Sequence, residues 1–157
     1  MGKAWLDIFG KMTYGIYVLT TAYRGEINGM IASWVSQVSY DPPLIMVAIH
    51  PNRYSHHLVR QGGAFALHVL ARDQTHLLEV FKGPRPSAKF DSVDWSRGKN
   101  NCPILKDCLA FLECDVRAEY APGNHTLFMG EVKRAKVFSN ESPLTTLDYE
   151  GRYIGKD

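Results

Sequence analysis

The chain has 157 residues, 45% of them apolar and 22% charged, with a formal net charge of +2. That is one domain's worth of sequence with enough apolar residues for a substantial core, so residues 1–157 are expected to form a single domain. The near-balanced charge argues against a nucleic-acid or anionic-membrane footprint, and the longest apolar run, Leu44 to Ile49, falls far short of the ~20 residues of a spanning helix.

Asp7 interrupts the N-terminal stretch before a signal-peptide core forms, and Leu6 breaks the myristoylation pattern after Gly2, so the cytoplasm is the expected location. Cys102, Cys108 and Cys114 form no close C-x-x-C pair and read as reduced thiols.

Residues 4–12 carry Trp5, Leu6, Ile8, Phe9 and Met12 at near-helical spacing and predict a short amphipathic helix. Gly15 to Thr21 is β-branched and aromatic and reads as a strand, turned back by Arg24-Gly25-Glu26. Asn28-Gly29 carries a second turn signal and opens the segment from Met30 to Ser39. The break Asp41-Pro42-Pro43 then separates that segment from a strand over 44–49.

Tyr54 to Gln61 predicts a helix ended by Gly62-Gly63. Ala64 to Leu70 reads as a strand, and Asp73 as the cap of a helix running to Phe81. Lys82 to Asn101 reads as an excursion loop anchored by Phe90 and Trp95. From Ala110 to Tyr120 apolar residues alternate with Glu113, Asp115, Arg117 and Glu119, the pattern of a strand with one buried and one wet face. Pro122-Gly123-Asn124 turns it, His125 to Phe138 returns beside it, and residues 149–153 predict a last strand or clasp. Hairpins between neighbours and short inserted helices imply a mainly antiparallel β-barrel.

No common catalytic motif is present, so any reaction must ask little of side chains. Flavin chemistry fits, because the cofactor supplies the reactivity while the protein supplies position, a dry wall and charge. Ile31 to Trp34 offer backbone amides and the Ser33 hydroxyl for the ring, with Ser36, Gln37 and Ser39 along an irregular edge. The same serines also suit local backbone bonding at a bent strand. Arg53-Tyr54-Ser55-His56 offers a guanidinium fork, a hydroxyl and helix-first amides for a phosphate. An ordinary cap by Ser55 beside a solvated Arg53 fits those residues as well.

His56 and His57 diverge by about 100° on a helix, a poor metal pair. His68 reads as a satisfied core or interface histidine. His125 follows a turn, from which it reaches a barrel mouth to position a nicotinamide or donate a proton; a hairpin-end residue without a role is the alternative.

The segment GMIASWVSQVSYDPPLIMVAI resembles the flavin reductase-like, FMN-binding split-barrel family. Gly29, Met30, Ala32, Ser36, Val38, Ser39, Asp41, Pro42, Pro43 and Leu44 stand in its signature. Matches continue in order through residues 14–21, 53–56, Ser87 to Phe90, His125 to Val132 and Gly151 to Tyr153. Ile31 stands where the family usually has threonine, Ser33 where it has asparagine, and Asn124 replaces a common aspartate.

The resemblance implies a split β-barrel homodimer that binds FMN, less often FAD. It also implies flavin reduction by NADH or NADPH. Cofactor contacts are implied at Met30, Ile31, Ala32, Ser33, Trp34, Ser36, Gln37, Val38, Ser39, Arg53, Tyr54, Ser55, His56, Lys89 and Tyr153. Some relatives instead keep FMN tightly bound and pass electrons to a partner protein or ferric iron. A flavoredoxin-like carrier is therefore the second expectation, and an oligonucleotide-binding barrel a distant third.

Overall fold

The computed structural model describes residues 3–84 and 86–148. In chain order these form α1 (Ala4–Phe9), β1 (Tyr17–Tyr23), β2 (Glu26–Ala32), β3 (Val35–Ser39), β4 (Leu44–Ile49), α2 (Tyr54–Gly62), β5 (Ala64–Val69) and α3 (His76–Phe81). A 3-10 turn at Ser87–Phe90 follows, then β6 (Trp95–Arg97), β7 (Pro103–Leu105), β8 (Ala110–Tyr120), β9 (Thr126–Val137) and a 3-10 turn at Thr146–Asp148.

Seven strands make one antiparallel sheet in the order β2-β1-β5-β8-β9-β4-β3. Its two outer strands, β2 and β3, are consecutive in sequence and separated only by Ser33 and Trp34. The sheet must therefore curl until its first and last strands meet at that corner, where Ala48 N–H donates to the Trp34 carbonyl at 3.0 Å. The two edges do not pair with each other, which makes the barrel split. Edges left this way present backbone donors and acceptors outward.

Inside the curl, Leu19, Val47, Ile49, Phe65, Leu67 and Phe128 pack with Val59 of α2. Burying a phenylalanine such as Phe65 contributes about 1.5–3 kcal/mol. Gly130 leaves it room, since a Cβ there would stand 2.5 Å from the Phe65 ring. Outside, Leu77, Leu78, Phe81 and Phe90 cover Ile16 and Val18, with Ile31 packed against them.

Several expectations shift. Arg24 and Gly25 make the tight turn alone, both at positive φ (50° and 81°), as a two-residue hairpin loop of this hand requires. Asn28-Gly29 is not a turn; it lies within β2, opposite Thr21 and Thr20. A Cβ at Gly29 would meet the Phe81 ring at 2.6 Å, so glycine serves packing there. Asp73 does not cap α3, which starts at His76; Gln74 is turned inward, accepting from Ala71 N–H and donating to the Asp107 carbonyl, both at 2.8 Å. The expected helix at 4–12 is shorter, and Trp5, Ile8, Phe9 and Met12 are exposed.

The excursion contains structure of its own. Phe90 is buried between the rings of Phe81 and Trp95, at 5.6 and 5.5 Å, and β6 pairs with β7. Ile104 and Cys102 thereby cover Ala66 and Phe111 on the outer face. This corrects the reading of β8: Glu113, expected on the wet face, is 1% exposed. The strand alternation itself holds: Cys114 faces the barrel interior, whereas Glu113 lies on the outer face beside Ala66, where the excursion covers it, and the bulge here leaves Lys133 of β9 without a partner in β8. The Glu113 carboxylate accepts from Arg134 at 2.7 Å and from Asn100 N–H at 3.1 Å. Beyond it Asp115, Arg117 and Glu119 face solvent as expected. The three cysteines are buried and unpaired, their thiols pushed up by burial to about 12 (Cys102), 11 (Cys108) and 12 (Cys114). The clasp expected at 149–153 lies outside the described residues.

His68 is fully buried in β5. Leu105 N–H donates to its Nε2 at 3.1 Å, which leaves Nδ1–H to donate to the Val18 carbonyl at 3.0 Å. Both ring nitrogens are thus satisfied in the neutral form, and burial lowers the pKa to about 4.

Candidate functional site

At one end of the split edge, β2 meets the start of α2 and the 3-10 turn. Lys89 is only 9% exposed, and its Nζ donates to Asn28 Oδ1 at 3.1 Å and to the Gly29 carbonyl at 2.9 Å. Both acceptors are neutral. Burial lowers the Lys89 pKa, and the nearby Arg53 guanidinium lowers it further. Asn28 Nδ2 in turn donates to the Ser55 hydroxyl at 2.9 Å. Ser55 is therefore tied across to β2 and does not cap α2. The N-terminus of α2 has no side-chain cap, with Arg53 in the capping position. A buried ammonium on neutral partners, a guanidinium and an uncapped helix start together favour an anion.

At the other end, three rings converge from three elements. Trp34 lies at the β2–β3 corner, His50 just past β4, and His125 just before β9. The His125 ring is 4.5 Å from Trp34 and 5.2 Å from His50, the latter nearly perpendicular at 83°. His125 Nδ1–H donates to Asn124 Oδ1 at 2.8 Å. His50 accepts at Nδ1 from Asn52 N–H at 3.2 Å.

Between the two ends runs β2. Met30 packs on the barrel interior and Ile31 on the outer apolar layer, the alternation a strand imposes. Ile31, which stands where the family has threonine, thus packs against an apolar layer. Ala32 and Ser33 are buried at the corner. Ser36, Gln37 and Val38 are exposed on the edge strand β3, where a bulge lies between Gln37 and Ser39. Ser36 Oγ donates to the Gln37 carbonyl at 3.1 Å, and Gln37 Nε2 to the Ser39 carbonyl at 3.4 Å.

His56 joins the ends. Its ring points inward, shares a 2.8 Å hydrogen bond between Nε2 and Thr126 Oγ1, and stands 5.2 Å from Phe128. Burial lowers its pKa, helped by Arg60 and opposed by Glu119. His57 is exposed, so the pair diverges as the helix requires. Tyr54 turns outward to Glu26, and that hydrogen bond, chiefly, raises its pKa.

Of the residues singled out from sequence, Arg53, Ser55 and Lys89 gather at the cationic end, Trp34 and His125 at the ring end, and Met30 to Ser33 along the edge between. Tyr54 and the His56 ring point away from the cationic end, and Tyr153 lies outside the described residues. Two residues escaped sequence reading. Asn28 was masked by its turn-like Asn-Gly context. His50 gains meaning only from the β4–β9 register, in which Ile49 pairs with Thr126 and His50 comes next across from His125.

The Flavin reductase like domain family matches residues 9–155. A ferric-chelate reductase (NAD(P)H) of Archaeoglobus fulgidus is 33% identical over 96% of this chain and 92% of its own length. The high molecular weight rubredoxin of Moorella thermoacetica is 32% identical over 88% of this chain, which spans 62% of that longer protein. Among solved structures, the NADH:FAD oxidoreductase SgcE6 of Streptomyces globisporus, in complex with NAD and FAD fragments, superposes with a TM-score of 0.82 at 29% identity, covering 88% of this chain and 83% of its own. No helix among the described residues is long and apolar enough to cross a membrane. With the family match spanning nearly the whole sequence and the split barrel in place, this chain belongs to the flavin reductase-like domain family.

Proposed function

We propose that the chain is an NAD(P)H-dependent flavin reductase that binds FMN along the split edge of its barrel. The observation that carries this reading is the neutral-partnered, buried ammonium of Lys89 beside Arg53 and the open start of α2. A phosphorylated flavin matches that end better than an unphosphorylated one. From Gly29 to Trp34 the edge spans five residues, roughly 16 Å of extended chain, room for a ring system lying between the anion site and the three rings.

The bound flavin would supply the hydride acceptor. The chain's own residues would do the rest: Lys89, Arg53 and Ser55 hold the phosphate, Met30 to Ser33 line the ring with backbone and apolar wall, and His125 meets the nicotinamide. The names of the Archaeoglobus and Streptomyces relatives, which carry NAD(P)H and NADH, support the donor class. The Streptomyces protein's FAD fragments keep FAD in view as the alternative flavin.

A second copy of the chain completes this reading. Trp5, Ile8, Phe9 and Met12 near α1, and Val38 and Tyr40 at the free edge β3, are exposed apolar side chains of the kind a homodimer covers. One observation favours a carrier instead: Trp34 already lies 4.5 Å from His125, on the side where a nicotinamide would have to enter. In that case FMN stays bound and a partner protein reduces it.

Titrating the protein into FMN and into riboflavin, and following fluorescence quenching, tests the binding half. FMN is expected to bind more tightly, and Arg53→Ala to weaken FMN by about 1.5–3 kcal/mol while leaving riboflavin unchanged. Equal affinity for the two flavins would remove the cationic end from the phosphate role.

A further inference from the structure

Resting on the reductase reading, one residue of the ring cluster has an assignable part. We infer that His50 is a positioning residue for His125, holding its imidazole in a fixed orientation toward the nicotinamide. The antiparallel register that pairs Ile49 with Thr126 brings His50 and His125 across from one another at the ends of β4 and β9. Their rings stand 5.2 Å apart at 83°, the perpendicular arrangement aromatic pairs favour, while Trp34 touches His125 at 4.5 Å. His125 sits at a strand end beside an exposed turn, where a ring without neighbours samples several rotamers. Two ring contacts and the Asn124 bond remove that freedom before substrate arrives.

His50 is itself anchored. Asn52 N–H donates to its Nδ1, so that nitrogen is unprotonated and the neutral ring carries its proton on Nε2. The side chain therefore does two separable things: it accepts from the loop, and it presents a ring to His125. His50→Asn keeps an acceptor near the Nδ1 position and removes the ring. His50→Phe keeps the ring and removes the acceptor.

The test reads the ring of His125 directly, with and without turnover. In nuclear magnetic resonance spectra of the full chain, the His125 ring protons, identified by their loss in His125→Gln, are expected to carry a ring-current shift from Trp34. His50→Asn should move them toward the position of a solvent-exposed histidine, and His50→Phe should restore most of the shift. In parallel, kcat/KM for NADH should fall about tenfold in His50→Asn with the FMN Kd unchanged, and recover in His50→Phe. The reverse order, with Asn behaving as wild type and Phe losing the shift, would overturn the inference and leave His50 as a loop anchor. So would loss of FMN affinity in step with the rate. If wild type binds FMN but oxidises neither nicotinamide, the reductase reading fails, whereas the resonances of His125 still decide whether His50 positions it.

Discussion

The Nε2 of His56 and the hydroxyl of Thr126 stand 2.8 Å apart, joining the helix start that bears Ser55 to the strand start that bears His125. Each residue is the chain neighbour of a residue of the candidate site, so this buried bond links the cationic end to the ring end. A site assembled from four separate elements needs such a tie, because positioning within about 0.5 Å governs what it can do.

Thr126→Val removes the hydroxyl while keeping the side chain's shape, and leaves His56 Nε2 buried without its partner. The expected cost is about 1–3 kcal/mol of folding stability, measured by urea denaturation of the flavin-free protein. An unchanged midpoint would mean the ring has found another partner.

Lys89→Met keeps the buried stem and removes the charge. Flavin-free stability should change little, because relief of the disfavoured buried charge is offset by the Asn28 Oδ1 and Gly29 carbonyl left without their donor. FMN affinity should fall by about 1.5–3 kcal/mol, read by fluorescence quenching. A variant that binds FMN as wild type does would place the phosphate elsewhere.

His68 makes stability depend on pH. The unfolded residue takes up a proton below its ordinary value of about 6.5, whereas the folded one resists until about 4. Stability from this group is thus complete above pH 6.5 and is lost as pH falls toward 4, by roughly 3 kcal/mol in total. Denaturation midpoints across that window should show the slope, and His68→Gln should flatten it. A variant with the wild-type slope would assign the titration to another group.

Gly130→Ala places a methyl 2.5 Å from the Phe65 ring in the middle of the barrel. Overpacking of this kind costs about 1–3 kcal/mol. Calorimetry should register a lower Tm, and Gly130→Ala combined with Phe65→Leu should recover part of it, since the smaller side chain vacates the contested space.

Much of the barrel was readable because its strands announce themselves locally. The alternation in β8, the Arg24-Gly25 turn and the Gly63 end of α2 each follow from a few neighbouring residues. What escaped was non-local. Glu113 looks solvent-facing until the excursion folds over it and Arg134 arrives from the next strand. Asn28-Gly29 has turn chemistry, yet β1 pairs with it, and Lys89 comes from 60 residues later to take the Gly29 carbonyl. His50 shows no sign of a role until strand register sets it against His125. Family resemblance marked the candidate site's segments, whereas pairing decided which side chains within them meet.

In the proposed reading, the split edge between Lys89 and His125 holds a flavin that accepts electrons from a nicotinamide. This is tested most directly by loading the protein with FMN, removing oxygen, adding NADH or NADPH, and following the visible flavin absorbance. At least one nicotinamide is expected to bleach it, and His125→Ala to slow that bleaching far more than it weakens FMN binding. A flavin-loaded protein whose absorbance is unmoved by both nicotinamides, yet falls on addition of a reducing partner protein, would contradict this reading in favour of the carrier.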